Sequence, residues 1–176
     1  NIRDNIKSRF GAKLFLKQTL FPAFFILLPA ILLIQYYVGS LSFDTDRTFL
    51  SEDVNPYIGG GILAMLILGL SKNATFPFHK WLPSNNMAPA PVSALVHSVG
   101  TVKTASIAMI KIAVYIFDID YIRMLTNNFF TGGWLVFLCG LTAVYTAYRA
   151  LKTDDLKQRF TLSTVGQLSY ILLAIL

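Results

Sequence analysis

The sequence predicts an all-α fold: a polytopic membrane bundle of about five transmembrane helices, the second of them broken. Three observations support this prediction: 55% of the 176 residues are hydrophobic, only 14% are charged, and the mean hydropathy is +0.58. Ordinary soluble domains are about 25% charged. A chain with so few charges has more apolar surface than one soluble core can bury, so it is expected to lie in a bilayer. The same composition excludes a disordered chain.

Five stretches have the length needed to cross a bilayer, which takes about 20 mostly apolar residues. They cover residues 20–38, 58–78, 92–117, 129–150 and 160–176. Pro22 and Pro29 lie in the first stretch, so a kink is expected near Pro29. Because the sequence begins at Asn1 rather than Met and ends within an apolar run, we expect an internal part of a longer membrane protein.

Basic residues indicate the orientation in the membrane. Residues 3–17 carry five lysines and arginines, and residues 149–159, between the fourth and fifth stretches, carry four. The loop at residues 44–53 carries four acidic residues and one arginine. Cytoplasmic loops are enriched in Lys and Arg. With five spans both basic segments lie on one side, so the N-terminus is expected on the cytoplasmic or matrix side.

The charged and thiol residues exclude several classes of protein. The net charge of +6 does not indicate nucleic-acid binding, because the aromatic residues lie within apolar runs and the basic residues mostly between them. Cys139 is the single cysteine, which excludes a disulfide scaffold. His79 and His97 have no cysteine or carboxylate near them in the predicted spans, so no metal site is predicted. No phosphate-binding or dinucleotide-binding glycine motif occurs, so neither a catalytic residue nor a cofactor is predicted.

Ionisable residues inside the predicted spans are the first functional signal. All nine carboxylates lie outside the spans, whereas Lys72, Lys103, Lys111 and His97 lie inside them. A charged lysine at the bilayer centre costs about 2.5–3.5 kcal/mol on insertion scales, so such residues usually mark an ion or proton route. Lys103 is about 16 Å into its span, which favours a functional role. Lys111 can instead reach the interface, while packing of His97 and loop solvation of Lys72 remain open alternatives.

A broken helix is the second signal. The second stretch ends in the polar residues 71–77, where Pro77 removes a backbone donor and clashes with the carbonyl near Asn73. The glycine triplet at residues 59–61 is expected to loosen the same helix. Broken helices in membranes line cavities and recur in transporters, so the break is expected to hydrate Lys72.

A polar stripe on the third stretch is the third signal. Its members are four, three, four and seven residues apart and therefore share one face of a helix. Small and hydroxyl residues are common at helix–helix seams, but a histidine and a lysine in the stripe favour a proton relay. Lys103 lies about 240° round the helix from His97 and faces elsewhere. The stripe comprises Ser93, His97, Gly100, Thr104 and Lys111, with Thr101 one turn from His97, while His79 is expected at the interface.

Three segments resemble landmarks of a known family. Residues 72–83 (Lys-Asn-Ala-Thr-Phe-Pro-Phe-His-Lys-Trp-Leu-Pro) and residues 87–97 (Met-Ala-Pro-Ala-Pro-Val-Ser-Ala-Leu-Val-His) look like the signature of proton-conducting antiporter-like membrane subunits. Residues 154–169 resemble the family's second landmark, a basic loop leading into the next helix. That family includes the large membrane subunits of respiratory complex I and the A-type and D-type subunits of Mrp-type cation/proton antiporters. The first 60 residues match in hydropathy only.

The resemblance implies roles for individual residues. Lys72 matches the lysine on the family's broken helix, and His97 matches the histidine on the following helix. Val102-Lys103 matches the Val-Lys pair of antiporter-type members and, with residues 115–117, favours the D-type Mrp subunit over chain 5 of complex I. The expected proton-translocation residues are Lys72, His97 and Lys103. The supporting candidates are Ser93, Thr101, Thr104, Lys111 and His79, and the helix break is assigned to Asn73 and Pro77. The chain departs from the family pattern at Asn86, Ala90, Thr104 and Ala105.

The resemblance implies a proton-translocating membrane subunit without a cofactor or catalytic site of its own. The expected function is that of a D-like subunit of an Mrp-type Na⁺(K⁺)/H⁺ antiporter. One alternative is the chain 5-like membrane subunit of NADH:quinone oxidoreductase, which would make the chain part of an enzyme. The alternative of another class is a structural remnant that does not conduct protons.

The same resemblance implies partners and location. Residues 1–176 are expected to form part of one antiporter-like transmembrane domain, in contact with lipid and with other membrane subunits, and not with nucleic acid. The expected cargo is protons together with Na⁺ or K⁺. The expected location is the bacterial inner membrane, with the mitochondrial inner membrane as the alternative. The family's essential glutamate lies on a helix upstream of the matched region, where Lys72 is expected to find its acidic partner.

Overall fold

The computed structural model describes residues 13, 16–39, 54–70, 75–76 and 101–176 of the chain. All regular structure within these ranges is helical, so the all-α prediction is confirmed for the described part of the chain. The helices are α1 (Leu16–Val38), α2 (Pro56–Gly69), α3 (Thr101–Ile112, extended by the π-helical turn Ala113–Phe117), α4 (Ile119–Asn127), α5 (Trp134–Leu151) and α6 (Leu156–Ile175).

Two predicted spans are long, apolar helices. α1 has 23 residues, and α5 together with the π-helical segment Phe129–Gly133 before it forms a second helix of 23 residues. Each is about 35 Å long, enough to cross a hydrocarbon core of about 30 Å. α2 has only 14 residues. The count of five spans and the break in the second remain predictions, because residues 71–74 and 77–100 lie outside the described ranges.

α1 contains a π-helical turn, Ala23–Leu27, between its two prolines. A proline ring clashes with the carbonyl four residues before it, which for Pro29 is the carbonyl of Phe25. The wider turn covers this position, directly before the residue where the sequence predicts a kink. Gly39 caps α1 after Val38: it has a φ of 74°, and its N–H donates to the Gln35 carbonyl at 3.0 Å.

A short helix, α4, lies where the sequence predicts a loop. It is amphipathic: Tyr121, Ile122 and Leu125 are buried, while its charged residues are exposed. Asp118 turns the chain into α4 with a φ of 70°, and its carboxylate accepts a hydrogen bond from the Asp120 N–H at 3.4 Å. The helix is not predicted from the sequence because nine residues give only a weak periodic signal in a segment with three charges.

Two glycines of α2 lie in close contact with the backbone of neighbouring segments. The triplet at residues 59–61 is expected from the sequence to loosen the helix, yet α2 runs through it without interruption. A Cβ on Gly60 would collide with the backbone carbonyl of Thr131, and a Cβ on Gly69 would lie 2.8 Å from a backbone nitrogen of α1. A Cβ on Gly61, in contrast, would meet no atom of the described residues within 4 Å. Gly60 and Gly69 therefore allow α2 to approach its neighbours more closely than any side chain would permit.

α5 and α6 form a helical hairpin joined by residues 152–155. The Asp155 carboxylate caps α6 by accepting the Lys157 N–H at 3.1 Å. The Arg159 guanidinium donates to the Thr153 carbonyl at 2.9 Å. α6 therefore begins at Leu156 rather than at residue 160, because the cap stabilises a first turn that is too polar to count as part of an apolar stretch.

The Tyr121 hydroxyl connects α4 to the segment before α2. It donates to the Val54 carbonyl at 2.9 Å, and its ring, only 2% exposed, lies over Gly59. Burial raises the pKa of Tyr121 above its ordinary value of 10.0. The phenol therefore remains protonated, and able to donate, throughout the physiological range of pH.

We expect Tyr121→Phe to lower the free energy of unfolding by about 1 kcal/mol, because the Val54 carbonyl would lose a buried partner. Tyr57→Phe is the control, since the Tyr57 side chain is 70% exposed. Thermal unfolding of the purified protein in detergent measures both changes. An equal loss in the two variants would contradict a specific contribution from the Tyr121 hydroxyl.

Candidate functional site

The candidate site lies at the end of α2. The helix ends at Gly69, and Leu70 leaves helical geometry with a ψ of 52° while its N–H still donates to the Leu66 carbonyl at 2.8 Å. Leu70 lies only two residues before Lys72, in the region where the sequence predicts the break. The described backbone has therefore left helical geometry at Leu70, shortly before the predicted lysine in the sequence.

The structure places Thr75 and Phe76, which belong to the predicted break. Thr75 is fully buried, and its hydroxyl has no hydrogen-bond partner among the described residues. The Phe76 N–H donates to Oγ1 of Thr142 on α5 at 3.3 Å. Pro77 disfavours helical backbone at the residue before it. Phe76 is accordingly not helical, and its amide takes a side-chain acceptor on another helix.

Thr142 is one of several buried hydroxyl residues on the α5–α6 hairpin. Its hydroxyl donates to the Leu138 carbonyl at 2.7 Å, and the Thr146 hydroxyl, one turn later, donates to the Thr142 carbonyl at 2.9 Å. α6 passes closely at Gly166, where a Cβ would lie 3.4 Å from Oγ1 of Thr146. The buried hydroxyl residues on α6 are Thr161 and Ser169.

α3 presents its lysines on an exposed face. The side chains of Lys103, Thr104 and Lys111 are all exposed, so the described members of the predicted stripe lie on a side that the described helices leave uncovered. The sequences of α1, α2, α3, α5 and α6 contain no acidic residue. Any carboxylate near these lysines must therefore come from another segment. The opposite, buried side of α3 carries Ala105, Ser106 and Met109.

Most predicted proton-route residues lie outside the described ranges. These are Lys72, Asn73, Pro77, His79, Ser93 and His97, and for Thr101 the structure gives the backbone only. Their roles, and those of Lys103, Thr104 and Lys111, remain predictions. Within the described residues no group of three His, Cys, Asp or Glu side chains could hold a metal ion.

Thr75 and Thr142 were not predicted as site residues from the sequence. Each is a hydroxyl residue in or beside an apolar run, which is a weak signal because such residues are common at helix seams. Thr142 is identified by its hydrogen bond with the Phe76 backbone N–H, which lies 66 residues away in the sequence.

The comparison with known sequences points to one family. The Proton_antipo_M family, described as NADH:quinone oxidoreductase/Mrp antiporter, TM, matches residues 1–176. The chain is 35% identical over 134 residues to the A/B subunit of the probable K(+)/H(+) antiporter of Rhizobium meliloti (strain 1021), covering 74% of this chain and 12% of that protein. It is 32% identical over 155 residues to the chloroplastic NAD(P)H-quinone oxidoreductase subunit 5 of Zygnema circumcarinatum, covering 85% of this chain and 21% of that protein.

The fold also matches a solved structure. The Mrp complex from Dietzia sp. DQ12-45-1b contains a chain that superposes with a TM-score of 0.77 at 25% identity, covering 98% of this chain and 18% of that chain. This chain therefore spans only a small part of the length of its relatives, whose names include both antiporter and oxidoreductase subunits. The family match and the structural match both cover essentially the whole chain. This chain is therefore an integral membrane protein that belongs to the NADH:quinone oxidoreductase/Mrp antiporter transmembrane family.

Proposed function

We propose that this chain is part of a proton-translocating subunit of an Mrp-type cation/proton antiporter, with the proton route running through Lys72, His97 and Lys103. The observation that carries the proposal is the exposed Lys103 side chain on α3, since the sequences of α1, α2, α3, α5 and α6 contain no carboxylate. The name of the 35%-identical relative, the A/B subunit of an antiporter, supports the antiporter assignment. The finer assignment to a D-like subunit is proposed on Val102-Lys103 and residues 115–117.

The proposed chemistry follows from the electrostatics of a lysine in the membrane. Loss of water favours the neutral amine, whereas a nearby carboxylate favours the ammonium ion. A lysine that gains and loses such a partner alternately binds and releases a proton. The sequences of α1, α2, α3, α5 and α6 supply no carboxylate, so we propose that the acidic partner comes from a helix upstream of Asn1, as the family resemblance implies.

The exposed face of α3 also supports the proposal of membrane partners. The side chains of Lys103 and Lys111 are exposed within the part of the chain that the structure describes, and a charged lysine that faces lipid is costly. We propose that other helices of a longer subunit, or other membrane subunits of the assembly, cover this face, and that the assembly lies in the bacterial inner membrane, with the mitochondrial inner membrane as the alternative.

A second candidate function is that of a chain 5-like membrane subunit of NADH:quinone oxidoreductase. The chloroplastic subunit 5 relative, which covers 85% of this chain, favours it. In such an assembly proton movement would depend on quinone chemistry elsewhere, and this chain would contribute the proton route without a redox group of its own. The third candidate, a structural remnant, would contact partner subunits and move no proton.

Vesicles that contain the assembled transporter and a pH-sensitive dye separate these candidates. We expect a pulse of Na⁺ or K⁺ to drive proton movement without NADH. Proton movement that requires NADH and quinone, and does not respond to the cation pulse, would instead establish the chain 5-like function. Equal proton flux in assemblies with and without this chain would show that it is a remnant.

A further inference from the structure

The hydrogen bond between Phe76 and Thr142 fixes a residue of the predicted break to the rest of the protein. The Phe76 amide is not in a helix, and a backbone N–H without a partner is costly in apolar surroundings. Its acceptor, Oγ1 of Thr142, lies 3.3 Å away on α5. The Thr142 side chain is only 1% exposed, so water does not readily replace it.

The Thr142 hydroxyl is oriented for this role. Its proton is directed to the Leu138 carbonyl at 2.7 Å, which leaves the oxygen lone pairs free to accept the Phe76 N–H. The neighbouring Thr146 is equally buried, but its hydroxyl donates to carbonyls of its own helix, those of Thr142 at 2.9 Å and Ala143 at 3.0 Å. The two threonines are therefore both buried and both on α5, but only the Thr142 hydroxyl accepts the Phe76 N–H.

The anchored residue is close in sequence to the proposed proton carrier. Phe76 follows Lys72 by four residues. Between them the structure describes Thr75, whose fully buried hydroxyl has no partner among the described residues. A buried hydroxyl of this kind is costly unless it meets a polar group. The Thr75 hydroxyl therefore requires a polar partner from outside the described residues.

We propose that Thr142 is a positioning residue for proton transfer. Its hydroxyl holds the backbone at Phe76 and thereby sets the position of Lys72 and of the Thr75 hydroxyl relative to the α5–α6 hairpin. Thr142 itself carries no proton along the route. This inference rests on the proposed proton route through Lys72.

The test uses Thr142→Val and Thr142→Ala, which remove the hydroxyl, Thr142→Ser, which keeps it, and Thr146→Val as the matched control. All are measured in the assembled transporter. Hydrogen–deuterium exchange of peptides covering residues 74–80 reports on the anchor, and the pH dependence of cation-driven proton flux reports on positioning. We expect exchange at the Phe76 amide to rise about tenfold in the hydroxyl-free variants. We expect the midpoint of the pH profile to move by about half a unit or more.

Native behaviour of Thr142→Ser and Thr146→Val in both measurements, together with these changes, would support the proposal. Unchanged exchange in the hydroxyl-free variants would refute the anchor. Faster exchange with a native pH profile would refute the positioning role, as would an equal shift of the profile in Thr146→Val. Absence of cation-driven flux in the native assembly would refute the proposed function instead, while exchange would still decide whether Thr142 anchors the break.

Discussion

Replacing Lys72 with alanine in the assembled transporter should abolish proton flux, with a loss of about 10²-fold or more, as for removal of a group that transfers protons. The proposed route requires an amine at this position that can bind and release a proton. Lys72→Arg should fail as well, because a guanidinium keeps its proton under all conditions found in proteins. Proton flux into vesicles, driven by a Na⁺ or K⁺ gradient, measures both variants.

Lys111→Ala is the matched control for this prediction. Lys111 lies near the end of α3 and its side chain is exposed, so its amine can reach the membrane interface. We expect this variant to retain most of the flux. Native flux in Lys72→Arg would show that charge alone is needed at this position, and native flux in Lys72→Ala would overturn the assignment of the proton route.

Gly60→Ala should destabilise the assembled protein by about 1–3 kcal/mol, the usual cost of overpacking. The added methyl group would meet the backbone carbonyl of Thr131, which cannot rotate away as a side chain could. We expect Gly61→Ala to stabilise the protein instead. The new Cβ there would meet no described residue within 4 Å, and alanine is favoured over glycine in a helix by about 0.5–1 kcal/mol.

Thermal unfolding of the purified assembly in detergent tests this pair of neighbouring glycines. A lower Tm for Gly60→Ala and an equal or higher Tm for Gly61→Ala would confirm that α2 packs against residues 129–133 through Gly60. Destabilisation by both substitutions to a similar extent would indicate that the triplet acts through backbone flexibility, as the sequence alone suggests.

Long apolar runs were the part of the fold that could be predicted. α1 and the helix Phe129–Leu151 correspond to predicted spans because burial in lipid requires about 20 apolar residues in a row, a pattern visible without any structure. α4 was missed because its buried face consists of three residues, Tyr121, Ile122 and Leu125, whose role depends on partners in α2 and the preceding segment.

The candidate site was predictable only in part, for a related reason. Lysines in apolar runs are conspicuous, since each carries a large desolvation cost, and so Lys72 and Lys103 could be selected from the sequence. Thr142 carries no such cost, and its contact with Phe76 depends on how α5 lies against residues 75–76. Contacts of this kind, between residues far apart in the chain, have no local sequence pattern.

The shortness of α2 has an electrical consequence. Its 14 residues span about 21 Å, roughly two thirds of a hydrocarbon core of about 30 Å. For a helix that runs along the membrane normal, in a potential that falls evenly across the core, a proton that travels the length of α2 crosses about two thirds of the membrane voltage. That displacement corresponds to about 1.5 kcal/mol for each 100 mV. Proton occupancy at the end of α2 should therefore depend on membrane potential as well as on pH.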